Sequence, residues 1–145
     1  MTQLTDDGSL EDYVQNNFTS LTWQQKTDLL YYIVNDIASI HKIGISHRVI
    51  HKRNILMNGD LAFLSDFRFS NYDDESNAFE IDSIYVGPFV TPEAIKKNSF
   101  SKSSDIYHLG LIMYYLATGI RPYNDFDNDI VLLIHIARGY PPEFS

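Results

Sequence analysis

The dipeptide Asn58-Gly59 lies between two short apolar runs, residues 55–57 and 61–64. Asn-Gly between apolar runs is the strongest short-range signal for a β-hairpin, because both residues tolerate the backbone angles of a tight turn. A hairpin would bring its two flanks together, and these carry Asn54 on one side and Asp66 on the other. The hairpin signal therefore constrains both the fold and the relative position of these two polar side chains.

Two helices are predicted before the hairpin. Ser9 with Asp12, and Thr22 with Gln25, have the spacing of side chains that cap helix N-termini. Apolar residues then recur at spacings of three and four, which predicts amphipathic helices. They are Leu10, Tyr13, Val14 and Phe18 in the first helix, and Leu29, Leu30, Ile33, Val34, Ile37 and Ile40 in the second. The second helix should end near Gly44, which lacks a Cβ and suits a C-terminal cap.

Two more helices are predicted in the second half of the chain. Residues 104 to about 118 are apolar on every side, so we expect a buried helix. Gly119 ends this pattern, and Asn128 or Asp129 begins an amphipathic helix that runs through Arg138. Residues 69–90, by contrast, show no periodicity and carry a run of acidic residues, which favours a solvated acidic loop over a metal site.

Composition limits the class of protein. The chain has 145 residues, enough for one domain with a core, and its 44% hydrophobic content is typical of a globular protein. A net charge of −8 argues against a nucleic-acid backbone or an anionic membrane as the natural partner. The absence of cysteine excludes a disulfide framework and a thiolate metal site. Neither a secretory signal nor a run of about eighteen apolar residues is visible, so we expect a cytoplasmic protein.

The stretch from residue 47 to residue 67 resembles the middle of a eukaryotic protein kinase domain. His47, Arg48 and Asn54 match the family pattern HRDLxxxN, and Asp66 with Phe67 matches the start of DFG. Further elements follow in the family's order: Pro92-Glu93 for APE, Asp105 to Gly110 for DxxxxG, and Arg121 to Tyr123 for RPY.

This resemblance implies a fold and a pair of cofactors. The fold would be mainly α with a small β-hairpin: a partial kinase domain over residues 1–145, the large C-terminal lobe without the small N-terminal lobe. His51 and Arg53 are similar to the loop of tyrosine-kinase-like members. The resemblance also implies ATP and magnesium, with the metal held in part by Asn54 and Asp66.

The resemblance implies regulatory and structural positions as well. Residues 69–90 correspond to the activation segment, in which Ser83 and Tyr85 stand where family members are often phosphorylated. Glu93 closes that segment. Asp105 corresponds to the aspartate that hydrogen-bonds the backbone of the catalytic loop from beneath.

Three departures from the family pattern bear on activity. Val49 stands where the family has its catalytic base, and a branched hydrocarbon can neither accept a proton nor orient a hydroxyl group. Arg68 replaces the glycine of DFG, whose backbone freedom a residue with a Cβ lacks. No glycine-rich phosphate loop, VAIK-type lysine or partner glutamate precedes Ser9. We therefore expect weak or no binding of ATP with magnesium.

Two classes of function remain. The chain is either a fragment of an active phosphotransferase whose small lobe comes from elsewhere, or a pseudokinase lobe that binds other proteins, such as a kinase or another signalling protein. We favour the pseudokinase, because the base and the phosphate-binding parts are both missing. A decayed gene fragment without a stable fold is a third possibility.

Simpler roles exist for the individual residues. Asp66 alone could be a turn residue and Asn54 alone a cap, but in register with His47 and Asp105 they favour the kinase pattern. His47 and His51 are four apart, as in a zinc motif, but the glutamate of HExxH is missing and the segment is a predicted loop. We expect His47 to pack and to form hydrogen bonds.

Overall fold

The computed structural model describes residues 8–67, 70–72, 91–92, 101–123 and 129–142, and these form a mainly helical structure with two small antiparallel strand pairs. In chain order the elements are α1 Leu10–Asn17, a 3₁₀ turn Phe18–Ser20, α2 Trp23–Lys42, β1 Ile45–Ser46, β2 Ile55–Asn58, β3 Leu61–Leu64, β4 Asn71–Tyr72, α3 Lys102–Thr118 and α4 Asp129–Ala137. None of the helices in the described ranges is long and apolar enough to cross a membrane.

Both predicted N-terminal caps are confirmed. The Ser9 hydroxyl accepts a hydrogen bond from the Asp12 amide while the Asp12 carboxylate accepts one from the Ser9 amide. Thr22 and Gln25 form the same reciprocal pair at the start of α2. Each pair provides side-chain acceptors for two backbone amides at the helix N-terminus. The start of each helix is therefore fixed by its own sequence. Helix α2 ends before Gly44, which has a φ of 85° as its C-terminal position requires.

The predicted hairpin is also confirmed, with its turn displaced by one residue. Strands β2 and β3 pair antiparallel, and Asn58 lies opposite Leu61, so the two-residue loop is Gly59-Asp60. Gly59 has a φ of 61°. Asn58 thus belongs to the strand, because the positive φ that the turn needs falls on the glycine.

The hairpin is held on both edges. On the β2 side the Met57 amide donates to the Gly8 carbonyl at 2.9 Å, which ties the hairpin to the residues before α1. On the β3 side the Leu64 amide donates to an Asp36 carboxylate oxygen on α2, also at 2.9 Å. Edge strands therefore do not present unpaired amides at these points.

One core joins the hairpin to α1, α2 and α3 through Leu10, Val14, Leu29, Ile33, Ile37, Ile50, Ile55, Met57, Ala62, Leu64, Ile112, Tyr115 and Leu116.

The expectation that α3 is buried on every side was wrong. Ile106 and Met113 are 55% and 50% exposed, whereas Ile112 and Leu116 are buried against α2 and the hairpin. Among the described residues the core elements cover one side of α3, and a helix that is apolar all round carries no periodic signal to say which side that is. Helix α3 also begins at Lys102, two residues earlier than predicted, because Ser101 caps it.

Two other differences lie outside the core. Asn71–Tyr72, in a segment predicted as loop, form β4 and pair with Ile45–Ser46 of β1. These two-residue strands are too short to show a periodicity in sequence. Helix α4 ends at Ala137, one residue before the predicted end, and Leu132 and Ile136 pack with Leu111 of α3 in a second, smaller core.

We expect Gly119→Ala to destabilise the protein, because Gly119 has a φ of 71° and an added Cβ would lie 3.0 Å from ring atoms of Phe18. Left-handed backbone costs a residue with a Cβ about 1–2 kcal/mol, and the free energy of unfolding in urea should fall by at least that amount. Gly110→Ala is the control. Gly110 lies inside α3 with nothing within 4 Å of an added Cβ, so alanine should stabilise by about 0.5–1 kcal/mol. Equal effects of the two substitutions would contradict the contact between Gly119 and Phe18.

Candidate functional site

The loop after β1 is anchored by one buried carboxylate. Asp105, in the first turn of α3, is completely buried. Its two oxygens accept hydrogen bonds from the backbone amides of His47 and Arg48, each at 2.8 Å. This is the contact that the kinase resemblance implies for Asp105. The position at a helix N-terminus favours the negative charge, since the positive end of the helix dipole lies there.

A second group on Asp105 was missed in the sequence analysis. His41, in the last turn of α2, places Nε2 at 2.7 Å from a carboxylate oxygen of Asp105. A carboxylate only accepts, so His41 Nε2 is the donor. The available signal was a basic residue at the C-terminal end of a helix, which is a common place for a histidine and gives no hint of a distant partner.

His108 is another residue that the sequence analysis missed. It lies three residues after Asp105 on the same face of α3 and is 2% exposed. Its Nδ1 accepts a hydrogen bond from the Ile50 amide at 3.3 Å. Two side chains of α3 therefore hold three amides of the loop, because residues three apart on a helix share a face. In an apolar helix a single histidine forms no pattern that would predict such a contact.

The backbone of this region is strained at two residues. Arg48 has a φ of 81° and Asp66 a φ of 58°, values that cost energy for any residue with a Cβ. The Asp105 contact stabilises the Arg48 conformation, and Arg48 Nε also donates to the Ser46 hydroxyl at 3.1 Å. Strained residues that the surrounding contacts hold in place are concentrated at functional sites. The two outliers therefore support a functional role for this loop.

His47 is a buried packing and hydrogen-bonding residue. Its Nε2 lies 2.7 Å from the Ser65 carbonyl oxygen, and its Nδ1 accepts a bond from the Val49 amide at 3.3 Å. Its ring meets the Phe67 ring edge-on, with centroids 5.0 Å apart. Burial lowers the pKa of His47, although the Ser65 carbonyl and nearby carboxylates oppose this effect. These contacts fit the neutral imidazole with its proton on Nε2.

The open end of the hairpin brings Asn54 and Asp66 together, as the sequence predicted from the hairpin. The Ser65 amide and hydroxyl both donate to the Asn54 carbonyl, at 2.7 and 2.9 Å, and Asp66 is the next residue. Asn54 Nδ2 donates to the Val49 carbonyl at 2.6 Å. This bond orients the amide group, so Oδ1 is the side-chain atom that a cation would meet.

Val49 is joined through its backbone to the side chains of His47 and Asn54, and it is only partly buried. His51, two residues further along the loop, is a titratable residue that could act in place of a base at Val49. However, its Nδ1 accepts a bond from the Arg53 amide at 3.1 Å. Burial, helped by the charge of Arg53, lowers the pKa of His51 to about 4. A neutral imidazole with Nδ1 as acceptor carries its proton on Nε2 and cannot accept another there, so His51 as placed does not replace the base.

Four of the predicted positions lie outside the described residues: Arg68, Ser83, Tyr85 and Glu93. The structure thus brings together His47, Arg48, Val49, Asn54, Asp66 and Asp105.

We expect Asp105→Ala to lower the free energy of unfolding by about 1–3 kcal/mol, because it leaves buried amides of His47 and Arg48 without an acceptor. Urea denaturation monitored by circular dichroism measures this loss. Asp28→Ala is the control, since Asp28 is an exposed carboxylate on α2 that contacts Gln24. Its effect should stay within about 0.5 kcal/mol. An unchanged midpoint for Asp105→Ala would remove the main support for the anchored loop.

Comparison with known proteins identifies the family of this chain. The sequence model of the family described as protein tyrosine and serine/threonine kinase matches residues 1–143. The chain is 29% identical to the ephrin type-B receptor 1 of Gallus gallus over 150 aligned positions, which cover 98% of this chain and 15% of the receptor. It is 27% identical to the ribosomal protein S6 kinase alpha-6 of Mus musculus over 123 positions, 80% of this chain and 16% of that kinase. The chain thus spans about a sixth of these relatives, and it belongs to the protein tyrosine and serine/threonine kinase family.

Proposed function

We propose that this chain is the large lobe of a kinase domain that has lost phosphoryl transfer and acts by binding other proteins. The observation that carries the proposal is Val49, a hydrocarbon at the position of the base in a loop whose anchoring is otherwise intact. A scaffold that keeps its anchors without its base is suited to binding and not to proton transfer. This proposal covers the described lobe and not the longer proteins that it resembles.

The decrease in rate expected without a general base favours this proposal. A positioned general base contributes about 10²- to 10⁴-fold in rate. The described contacts of His47 and His51 leave both imidazoles with Nδ1 occupied and Nε2 protonated, so neither compensates.

The cofactors of the family are ATP and magnesium, and two residues of the site fit the metal. Magnesium prefers oxygen ligands, which Asn54 Oδ1 and the Asp66 carboxylate could supply. When bound, the metal neutralises charge on the phosphates. This chain's own share would be to hold that metal with Asn54, oriented by its bond to Val49, and with Asp66 at the hairpin end. We propose that ATP binds this lobe alone weakly, because nothing in the sequence matches the lysine and glycine-rich loop that hold the phosphates.

A second candidate function has one observation in its favour. Asp66 has a left-handed backbone conformation, and strained residues of this kind are concentrated at functional sites. On this alternative the lobe belongs to an active protein kinase whose small lobe is supplied separately. Weak transfer to serine, threonine or tyrosine would then appear once that lobe is present.

Transfer of radiolabelled phosphate from ATP to a generic protein substrate distinguishes the two candidates. The unmodified chain should be inactive, and Val49→Asp alone should stay inactive because the phosphate-binding parts are still missing. A fusion to a kinase small lobe that carries both Val49→Asp and Arg68→Gly should gain transfer, and the same fusion with Asp66→Ala is its control. Transfer by the unmodified chain would contradict the proposed loss of catalysis.

A further inference from the structure

The side of α3 that faces away from the core carries a row of alternating large and small apolar residues. Ile106 and Met113 are about half exposed, and Gly110 and Ala117 alternate with them on the same face. We define the α3 stripe as these four residues. We propose that the α3 stripe binds the α3 stripe of a second copy of this chain, with the two helices antiparallel. The inference rests on the proposed function, because it names the partner that this lobe binds.

The four residues have the spacing of a seam between two packed helices. They are separated by four, three and four positions, which are the steps between a and d positions of a heptad. At 3.6 residues per turn, all four lie within an arc of about 60° on the helix surface. The stripe is about 16 Å long, since an α-helix rises about 1.5 Å per residue. A row of this kind packs along its whole length against one other helix at a shallow crossing angle.

The order of sizes makes the stripe complementary to itself. Positions 106 and 117 are equally far from the midpoint of the stripe, and so are positions 110 and 113. In an antiparallel pair related by a two-fold axis, Ile106 of one copy therefore faces Ala117 of the other. Met113 likewise faces Gly110. Each large side chain meets a small one, as knobs fill holes between packed helices.

A parallel pair of helices does not have this complementarity. It places Ile106 against Ile106 and Gly110 against Gly110, so gaps remain at the small residues and contacts are lost there. The sequence of sizes thus favours the antiparallel pair, in which both copies use the same surface.

Gly110 is a residue that its described neighbours do not explain. Glycine inside a helix is less favourable than alanine. Within the described residues, nothing lies within 4 Å of a Cβ added at this position. A second copy provides a reason for the missing side chain, because glycine lets two helices approach closely and leaves room for Met113.

A groove beside the stripe extends the apolar surface. It has a volume of about 590 Å³ and is lined mainly by α3 and by residues 139–142. Tyr140, in that second segment, is 53% exposed. None of the described residues that line the groove is charged. An uncharged surface of this kind matches an apolar surface, which the stripe of a second copy provides.

Net charge opposes the pairing and gives it a distinctive salt dependence. Each copy has a net charge of −8, so two copies repel each other. Salt screens this repulsion, with a Debye length of about 10 Å at 0.1 M. The dimer should therefore become tighter as the salt concentration rises. A partner attracted by opposite charge would bind more weakly under the same conditions.

Sedimentation equilibrium of the 145-residue chain, over a range of protein concentrations and at low and high salt, measures the pairing. We expect a reversible monomer–dimer equilibrium in the micromolar range, since one helix face is a small interface. Met113→Glu places a carboxylate against the second copy and should weaken dimerisation at least about tenfold, which corresponds to about 1.4 kcal/mol. Val34→Glu is the matched control. Val34 is a similarly exposed apolar residue on α2, and the variant adds the same charge, so it should leave the equilibrium unchanged.

An exchange of sizes tests which residues face each other. Gly110→Met alone puts methionine against methionine and should weaken dimerisation. Adding Met113→Ala to that variant puts a large residue opposite a small one again, and dimerisation should recover.

Engineered disulfides test the orientation, because the chain has no cysteine of its own. A mixture of one chain carrying Ile106→Cys with another carrying Ala117→Cys should form disulfides between unlike chains under mild oxidation. Like chains should not be joined, since positions 106 of the two antiparallel copies lie about 16 Å apart along the helices. A parallel pair would give disulfides between like chains.

A chain that stays monomeric at every concentration would overturn the inference, because another segment or a different protein would then have to cover the stripe. Equal effects of Met113→Glu and Val34→Glu would also overturn it, as would disulfides only between like chains. So would a double variant that recovers none of the dimerisation lost in Gly110→Met. Urea unfolding of each variant identifies a folding defect. A monomeric chain leaves the absence of transfer standing, whereas transfer from ATP by the unmodified chain overturns the proposed function without changing the measured association.

Discussion

The contact of the Asp105 carboxylate with the amides of His47 and Arg48 is the interaction on which the rest of the site depends. A buried carboxylate is costly unless its oxygens are hydrogen-bonded, and here the loop amides and His41 Nε2 provide the bonds. The same contacts hold Arg48 in a left-handed conformation that it would otherwise leave. Charge burial and backbone strain are therefore offset in one place, where α2, α3 and the loop meet.

Asp105 binds the loop through the backbone amides of His47 and Arg48. A loop side chain that takes no part in these bonds can therefore change while the bonds remain. The Val49 amide donates a hydrogen bond to His47 Nδ1, and the Val49 carbonyl accepts one from Asn54 Nδ2. The side chain of Val49 takes no part in these bonds. A substitution at this position would leave those bonds in place, so the shape of the loop does not depend on the side chain of Val49.

Local signals in the sequence predicted the elements well, and long-range polar contacts were out of reach. The caps at Ser9 and Thr22 and the hairpin at Asn58-Gly59 are determined within a few residues, so the sequence is enough. His41 and His108 meet partners about sixty residues away, and a single histidine carries no information about such a partner. The exposed side of α3 was also missed, because uniform hydrophobicity does not say which neighbours a helix has.

Hydrogen exchange of individual amides, followed by NMR, tests the anchored loop most directly. Amides that open only when the whole protein unfolds exchange at the rate set by global stability. We predict that the amides of His47 and Arg48 are protected to the same degree as those in the middle of α3, such as Ile112. Exchange of these two amides at the rate of an exposed loop, while Ile112 stays protected, would contradict the claim that Asp105 holds the loop after β1 in place.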